Sequence, residues 1–289
     1  MKKKLLLMFV LFVSIAMLVA CGTSETDSSS SDSGNETEDT TEETSGSEGA
    51  EESEEASEEA SSVAGNTYTV ATDSNFQPFE YMNPDTQELE GFDIDLISAV
   101  AEEAGFEIEF ETMNFDGLLG SMRTGKHDIG IAGISITDER KETIDFSDKY
   151  YDSGLILAVP KDSDIESIED IDGHKVGARQ GSTSEQYLQN NTNAEVSAFP
   201  EIVTAYMDLE AGRLDAVLYD LPNVQYYIKE NASDTLKTVG DVLEGQPYGI
   251  AFPKDSELVE PVNEALATIK ESGKYAEIYK KWFGTEPPQ

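Results

Sequence analysis

Ala132-Gly133-Ile134-Ser135-Ile136-Thr137-Asp138-Glu139-Arg140 is the stretch from which the fold is read. The apolar run Asp128-Ile129-Gly130-Ile131-Ala132 enters it as a strand, and Gly133 turns the chain. Thr137 is a good helix N-cap, and Asp138 and Glu139 suit the positive end of the helix dipole that follows. Arg140, in the same first turn, opposes that dipole, and a residue that breaks a local rule points to function. A strand end, a small-residue turn with hydroxyls at Ser135 and Thr137, and a helix start present free N–H groups to an anion. An arginine beside them adds a planar fork for a carboxylate. The competing reading is an arginine paired with Asp138 or Glu142 on a solvated surface.

Working outward, Lys2-Lys3-Lys4 followed by the apolar run Leu5 to Leu18 has the anatomy of a secretory signal, residues 1–20. Its end, Leu18-Val19-Ala20-Cys21-Gly22, resembles the lipobox of bacterial lipoproteins, which implies cleavage before Cys21 and a lipid on its sulfur. Cys21 is the only cysteine, so no intramolecular disulfide can form. Residues 21–65 then change to Ser, Thr, Glu, Asp, Gly and Ala, with fifteen acids and no Lys or Arg. Such a segment has little to bury and repels itself, so an extended, disordered tether is expected. These features place the protein at the outer face of a membrane, and the long acidic tether leans towards a Gram-positive surface.

The formal charge of the chain is −40; setting aside the +3 of the signal and the −15 of the tether leaves −28 for residues 66–289. A folded part that acidic argues against nucleic acid as a partner. The acidity suits a protein that must not stick to anionic lipid or wall polymers, and it equally suits a salty habitat.

Residues 66–289, about 220 in number, suffice for two modest domains. Strands are expected at 67–72, 107–112, 128–132, 155–159, 175–178, 216–218 and 248–252. Helices are expected at 93–105, 116–124, 182–189, 201–210, 221–229 and, broken at Gly273, 256–283. Strands alternating with helices mean an α/β fold of open sheets with ligand sites at strand ends.

That order and several local runs closely resemble the family 3 extracellular solute-binding proteins, the polar amino-acid receptors of ABC importers. The runs are Ala71-Thr72-Asp73, Phe76-Gln77-Pro78-Phe79-Glu80, Gly91-Phe92-Asp93-Ile94-Asp95-Leu96, the opening stretch through Asp145-Phe146-Ser147, Gly249-Ile250-Ala251-Phe252-Pro253 and Tyr279-Lys280-Lys281-Trp282-Phe283-Gly284. Within the family the chain looks nearest to glutamine-binding proteins. The resemblance implies a two-lobed, type II periplasmic-binding-protein-like fold: lobe 1 at 67–150 plus 249–289, lobe 2 at 155–243, and hinges at about 150–155 and 244–248. It also implies a monomer that closes on an amino acid and docks on an ABC permease with a cytoplasmic ATPase.

By the same resemblance, Arg140, Ser135 and Thr183 take the ligand's carboxylate. Asp220, with the Gly133 carbonyl, takes its ammonium; the residues alone favour Asp220 as the cap of the helix at Leu221-Pro222, and both roles can hold at once. Asp73 and Arg179 flank the ligand's side chain, and Phe76 and Phe115 sandwich its stem. A glutamine amide suits an Asp73/Arg179 site, whereas each wrong charge meets a repelling residue. The alternative is that Asp73 and Arg179 pair with each other across the closed cleft. Arg179 stands where a Lys is expected of a glutamine receptor, and Tyr219 where a His is expected, so glutamate, arginine and cystine remain alternative ligands.

An enzyme is not expected. The two histidines, His127 and His174, have no second ligand at metal spacing, and no phosphate loop or nucleophile elbow occurs. No cofactor or metal is expected either. The other readings are a surface sensor that binds an amino acid without importing it and, because some relatives of the fold catalyse it, a cyclohexadienyl dehydratase.

Overall fold

In the computed structural model, which describes residues 63–288 apart from Glu244, the chain builds two mixed five-stranded sheets and crosses between them twice. The first sheet contains β1 (Thr67–Thr72), β5 (Glu107–Thr112), β6 (Ile129–Gly130), β7 (Ile144–Phe146) and β15 (Ala251–Pro253), in the order β5-β1-β6-β15-β7. β1 is parallel to both neighbours, and β15 runs antiparallel to β6 and β7. The second contains β9 (Leu155–Pro160), β10 (Lys175–Arg179), β11 (Glu195–Phe199), β12 (Ala216–Asp220) and β13 (Leu236–Leu243), in the order β11-β10-β12-β9-β13. Between the sheets, β8 (Tyr151–Asp152) and β14 (Pro247–Tyr248) pair antiparallel as the two crossing strands. The signal, Cys21 and the tether lie outside the described residues.

The helices follow from caps and apolar stripes. α1 (Phe92–Ala104) buries Phe92, Leu96, Ile97, Val100 and Ala101 and ends at a left-handed Gly105, whose N–H returns to the Ala101 carbonyl. Gly91, ahead of it, has φ 145° and lies so close to the Phe79 carbonyl that a Cβ there would overlap it. α2 (Phe115–Thr124) is capped by the Asn114 side chain on Gly117 N–H, and its Phe115, Leu118, Leu119 and Met122 pack on the first sheet with Ala132, Ile134 and Ala251. The opening stretch continues into α3 (Asp138–Lys141), a single turn capped by Thr137 Oγ1 on the Arg140 N–H. In the second lobe lie α4 (Thr183–Asn191), α5 (Ile202–Glu210) and α6 (Leu221–Asn231); α7 (Val259–Glu271) and α8 (Lys274–Phe283) return to the first.

Three expectations change. The strand expected over 248–252 divides at Gly249-Ile250. Tyr248 stays in the crossing pair, while Gly249 N–H bonds the Ile134 carbonyl and Ile250 N–H the Ser147 hydroxyl. Only Ile129–Gly130 of the run 128–132 pairs as sheet; Ile131 adds two bonds, its N–H donating to the Ala71 carbonyl and its carbonyl accepting from the Thr72 hydroxyl. β7, β11, β13 and a small sheet of β2 (Asn75–Phe76), β3 (Glu80–Met82) and β4 (Leu89–Glu90) were not foreseen. β11 and β13 are half-exposed sheet edges, and β13 breaks register between Val239 and Leu243, so neither shows a clean alternation.

Candidate ligand-binding cleft

The strand ends of both sheets converge on one buried group of side chains between the lobes. Arg140, only 8% exposed, is held by its one-turn helix so that Nη1 donates to the Ser135 carbonyl at 2.9 Å and Nη2 to the Gly181 carbonyl, in the other lobe, at 3.1 Å. The surface pairing with Asp138 or Glu142 is therefore ruled out. Burial pulls the Arg140 guanidinium down to about 10, opposed first by the Asp220 charge.

Asp220 ends β12 and starts α6, yet its carboxylate caps nothing; Leu221 N–H bonds the Gly154 carbonyl instead. The helix-cap reading of Asp220 is thus corrected. Its Oδ2 accepts from the Tyr248 hydroxyl on the crossing strand β14. Burial lifts the carboxyl to about 6, against the pull of Tyr248, Arg140 and Arg179. Arg140 and Asp220 feel each other's charge but form no ion pair.

Asp73, at the end of β1, and Arg179, at the end of β10, are each 1% exposed and form an ion pair across the lobes. The pairing alternative is the one realised. Asp73 Oδ1 also accepts from Asn75 at 2.9 Å, and Arg179 Nη1 donates to the Tyr219 hydroxyl at 3.2 Å. Arg179 Nε has no acceptor among the described residues. Tyr219 is itself buried, and its ring stands edge-on to Phe76 at 5.7 Å, so it supports Arg179 from behind. Phe115 carries both guanidiniums against its ring, Arg140 at 5.4 Å and Arg179 at 4.9 Å.

Phe76 packs on Gly133 so tightly that a Cβ at Gly133 would meet the ring at 2.4 Å, and the turn there has φ 53°. Ser135 bridges in antiparallel fashion to Tyr248. Thr183 opens α4 and is buried; the neighbouring Gly181 N–H is already taken by the Glu185 carboxylate at 2.7 Å. Four residues were not foreseen at the site. Tyr248 holds Asp220, Asp93 accepts the Gly133 N–H, Glu80 lies beside Asp93, and Asn223 of α6 donates to the Gln77 carbonyl across the lobes at 2.7 Å. An acid inside an apolar run, as in Phe79-Glu80 and Phe92-Asp93, was the available signal for two of them.

Among the described residues no group of three His, Cys, Asp or Glu could hold a metal ion. Residues 68–285 match the family model of the bacterial extracellular solute-binding proteins, family 3. The chain belongs to that family. Among its relatives, a probable histidine-binding protein of Neisseria gonorrhoeae is 35% identical, over 78% of this chain and 86% of the relative. The glutamine-binding protein of a Bacillus subtilis ABC transporter is also 35% identical, over 77% and 82%. Among solved structures, the arginine-, lysine-, histidine-binding protein of Geobacillus stearothermophilus superposes with a TM-score of 0.74 at 38% identity, covering 76% of this chain and 96% of that one. With this likeness the α/β, two-lobed type II architecture holds for the family 3 chain described here.

Proposed function

We propose that this family 3 protein is the extracytoplasmic receptor of an ABC importer for a polar α-amino acid, and that the amino acid is glutamine. One observation carries the reading. A guanidinium on lobe 1 and a carboxylate on lobe 2, both buried, face one cleft without pairing with each other. A buried charge without a partner is costly, so an unpaired plus and minus across a hinge suit a zwitterion that contacts both lobes. A ligand that touches both lobes favours their closure, the form a permease would recognise.

Glutamine is preferred because the Asp73–Arg179 pair is neutral overall and keeps a donor unspent, Arg179 Nε. A neutral amide can accept there and donate to Asp73, whereas a charged side chain would unbalance the pair. Melting of the whole chain, refolded after denaturation, against each common amino acid tests this. Glutamine at a hundred times its Kd should add about 2.7 kcal/mol. A shift with arginine or histidine and none with glutamine would sink the choice of ligand, and no shift with any amino acid would sink the receptor.

The same proposal seats the protein on the outer membrane face through lipid on Cys21, supported by the lipobox-like run Leu18-Val19-Ala20-Cys21. Fatty-acid labelling that persisted in Cys21→Ser would refute the anchor.

Asp220 adds a pH signature of two opposite slopes. An ammonium binds the ionised carboxylate, and the carboxyl titrates at about 6 in the folded protein. Affinity should be flat above that pH and fall about tenfold per unit below it. Folding responds the other way. A folded pKa above the unfolded one costs stability at high pH, and the cost disappears as pH falls from about 6 towards the ordinary carboxylate value. Calorimetric titration and melting from about pH 8 to about pH 5 should show Asp220→Asn losing both contributions. Wild-type affinity that stayed level through pH 6 would refute the ammonium assignment.

A further inference from the structure

Arg140 and the Asp73–Arg179 pair are not alone in joining the lobes. Asn223, the third residue of α6, donates from Nδ2 to the Gln77 carbonyl of lobe 1 at 2.7 Å. Its Oδ1 accepts the Tyr206 hydroxyl of α5 at 2.8 Å. Both side chains are buried, Asn223 to 4% exposure and Tyr206 to 1%. The two ends of the amide are thus engaged with protein, one in each lobe.

Each half of this contact is held in place within its own lobe. On lobe 2 the Tyr206 ring stacks on Tyr227 at 4.3 Å, and the Tyr227 hydroxyl donates to Glu210 at 2.7 Å. A braced phenol that donates to Oδ1 leaves Nδ2 as the end turned to Gln77, so the amide has one orientation. On lobe 1 the Phe79 N–H bonds the Phe76 carbonyl and the Phe92 N–H the Pro78 carbonyl, which pins the turn on either side of Gln77. Little freedom is left to lose when the two halves meet. Both halves also adjoin the cleft. Asp220 lies three positions before Asn223, and Phe76, the ring packed on Gly133, immediately precedes Gln77.

We propose that Asn223 is a positioning residue for closure, whose bond to Gln77 forms only when the lobes meet and strengthens the binding of every amino acid by the same factor. The inference rests on the receptor reading above. Both partners are neutral, so the bond acts on the closure equilibrium and leaves the choice of side chain to the rest of the cleft. Opening breaks the Gln77 half alone, because Tyr206, Asn223 and Tyr227 all belong to lobe 2.

The variant Tyr206→Phe/Asn223→Leu removes the bond and leaves neither side chain with an unpaired polar atom. In calorimetric titrations of the whole chain it should bind glutamine about threefold to tenfold more weakly, the range of one neutral hydrogen bond. Stopped-flow traces should place that loss in dissociation, since the bond forms after encounter. Histidine and arginine, where wild type binds them, should weaken by the same factor. Tyr206→Phe alone keeps the amide and the ring stacking but frees the orientation of Asn223, so it should show a smaller loss of the same kind even if the double variant does not fold. An unchanged dissociation rate in both variants would overturn the proposal. Losses that differ severalfold between amino acids would put Asn223 on the ligand itself and overturn it as well.

A second measurement needs no ligand. Nitroxides on Glu109→Cys of lobe 1 and Asn190→Cys of lobe 2, both exposed, report the distance between the lobes in a Cys21→Ser background. In the double variant the ratio of short to long distances should fall by the same threefold to tenfold, about that of one neutral bond. A wild type that binds no amino acid sinks the receptor reading, and this ratio then decides the role of Asn223 separately; an unchanged ratio would overturn it.

Discussion

Arg140→Ala is expected to lose binding of every amino acid, by about 3–5 kcal/mol, on the order of a thousandfold in Kd. A guanidinium has five N–H donors, and Arg140 spends one on Ser135 and one on Gly181, leaving three for a ligand carboxylate. The residue is already desolvated, being buried between the lobes, so the folded protein bears the cost of burying this charge before any ligand arrives. Truncation leaves the ligand's carboxylate with no cation in a cleft from which water is excluded. Arg140→Lys should fall between, because an ammonium keeps the charge and loses the bidentate fork. Stability should change far less than affinity, since two carbonyls lose a donor while the cost of the buried charge is relieved. Calorimetric titration beside thermal melting of the same samples separates the two effects. An Arg140→Ala protein that bound its amino acid as wild type does would mean the carboxylate is held elsewhere.

The importance of Arg140 was legible because it contradicts its local setting. Thr137 predicts the cap, the two acids predict the dipole, and the arginine fits neither. The same local grammar gave α1 with its Gly105 stop, α2 with its Gly125 stop and the closing helices around Gly273. What could not be read was set by distance along the chain. Tyr248 reaches Asp220 over 28 positions and Tyr150 reaches Asp93 over 57, and no periodicity reports on contacts of that kind. Asp220 looked like a cap because Pro222 suits a first turn; the fold gave its carboxylate a tyrosine instead. The edge strands β11 and β13 were hidden for a different reason: hardly any of their residues is fully buried, so no marked apolar pattern is required of them.

The second large effect concerns the Asp73–Arg179 pair, which joins residues on the two lobes. Asp73→Ala should destabilise the closed protein by about 3–5 kcal/mol, since it leaves Arg179 charged and only 1% exposed. The remaining contacts of Arg179 are the Tyr219 hydroxyl and the Phe115 face, and Phe115 already lies against Arg140. Neither neutralises it. Arg179→Met should cost less, because the stranded Asp73 retains the donors of Ser74 and Asn75. The double variant Asp73→Leu/Arg179→Met removes both charges at once and should recover most of the loss, because a buried pair is often worth little against an apolar couple of similar volume. A coupling energy of at least about 2 kcal/mol in the melting cycle is the expected sign of direct contact. Additive single effects would show that the two side chains do not meet in solution. Selectivity should not recover with stability. The double variant keeps Arg140 and Asp220, so it should still close on an amino acid, but without donor or acceptor at the far end it should favour apolar side chains over glutamine. Retained preference for glutamine in that variant would move the selectivity away from Asp73 and Arg179 and onto the walls made by Phe76, Phe115 and Tyr219.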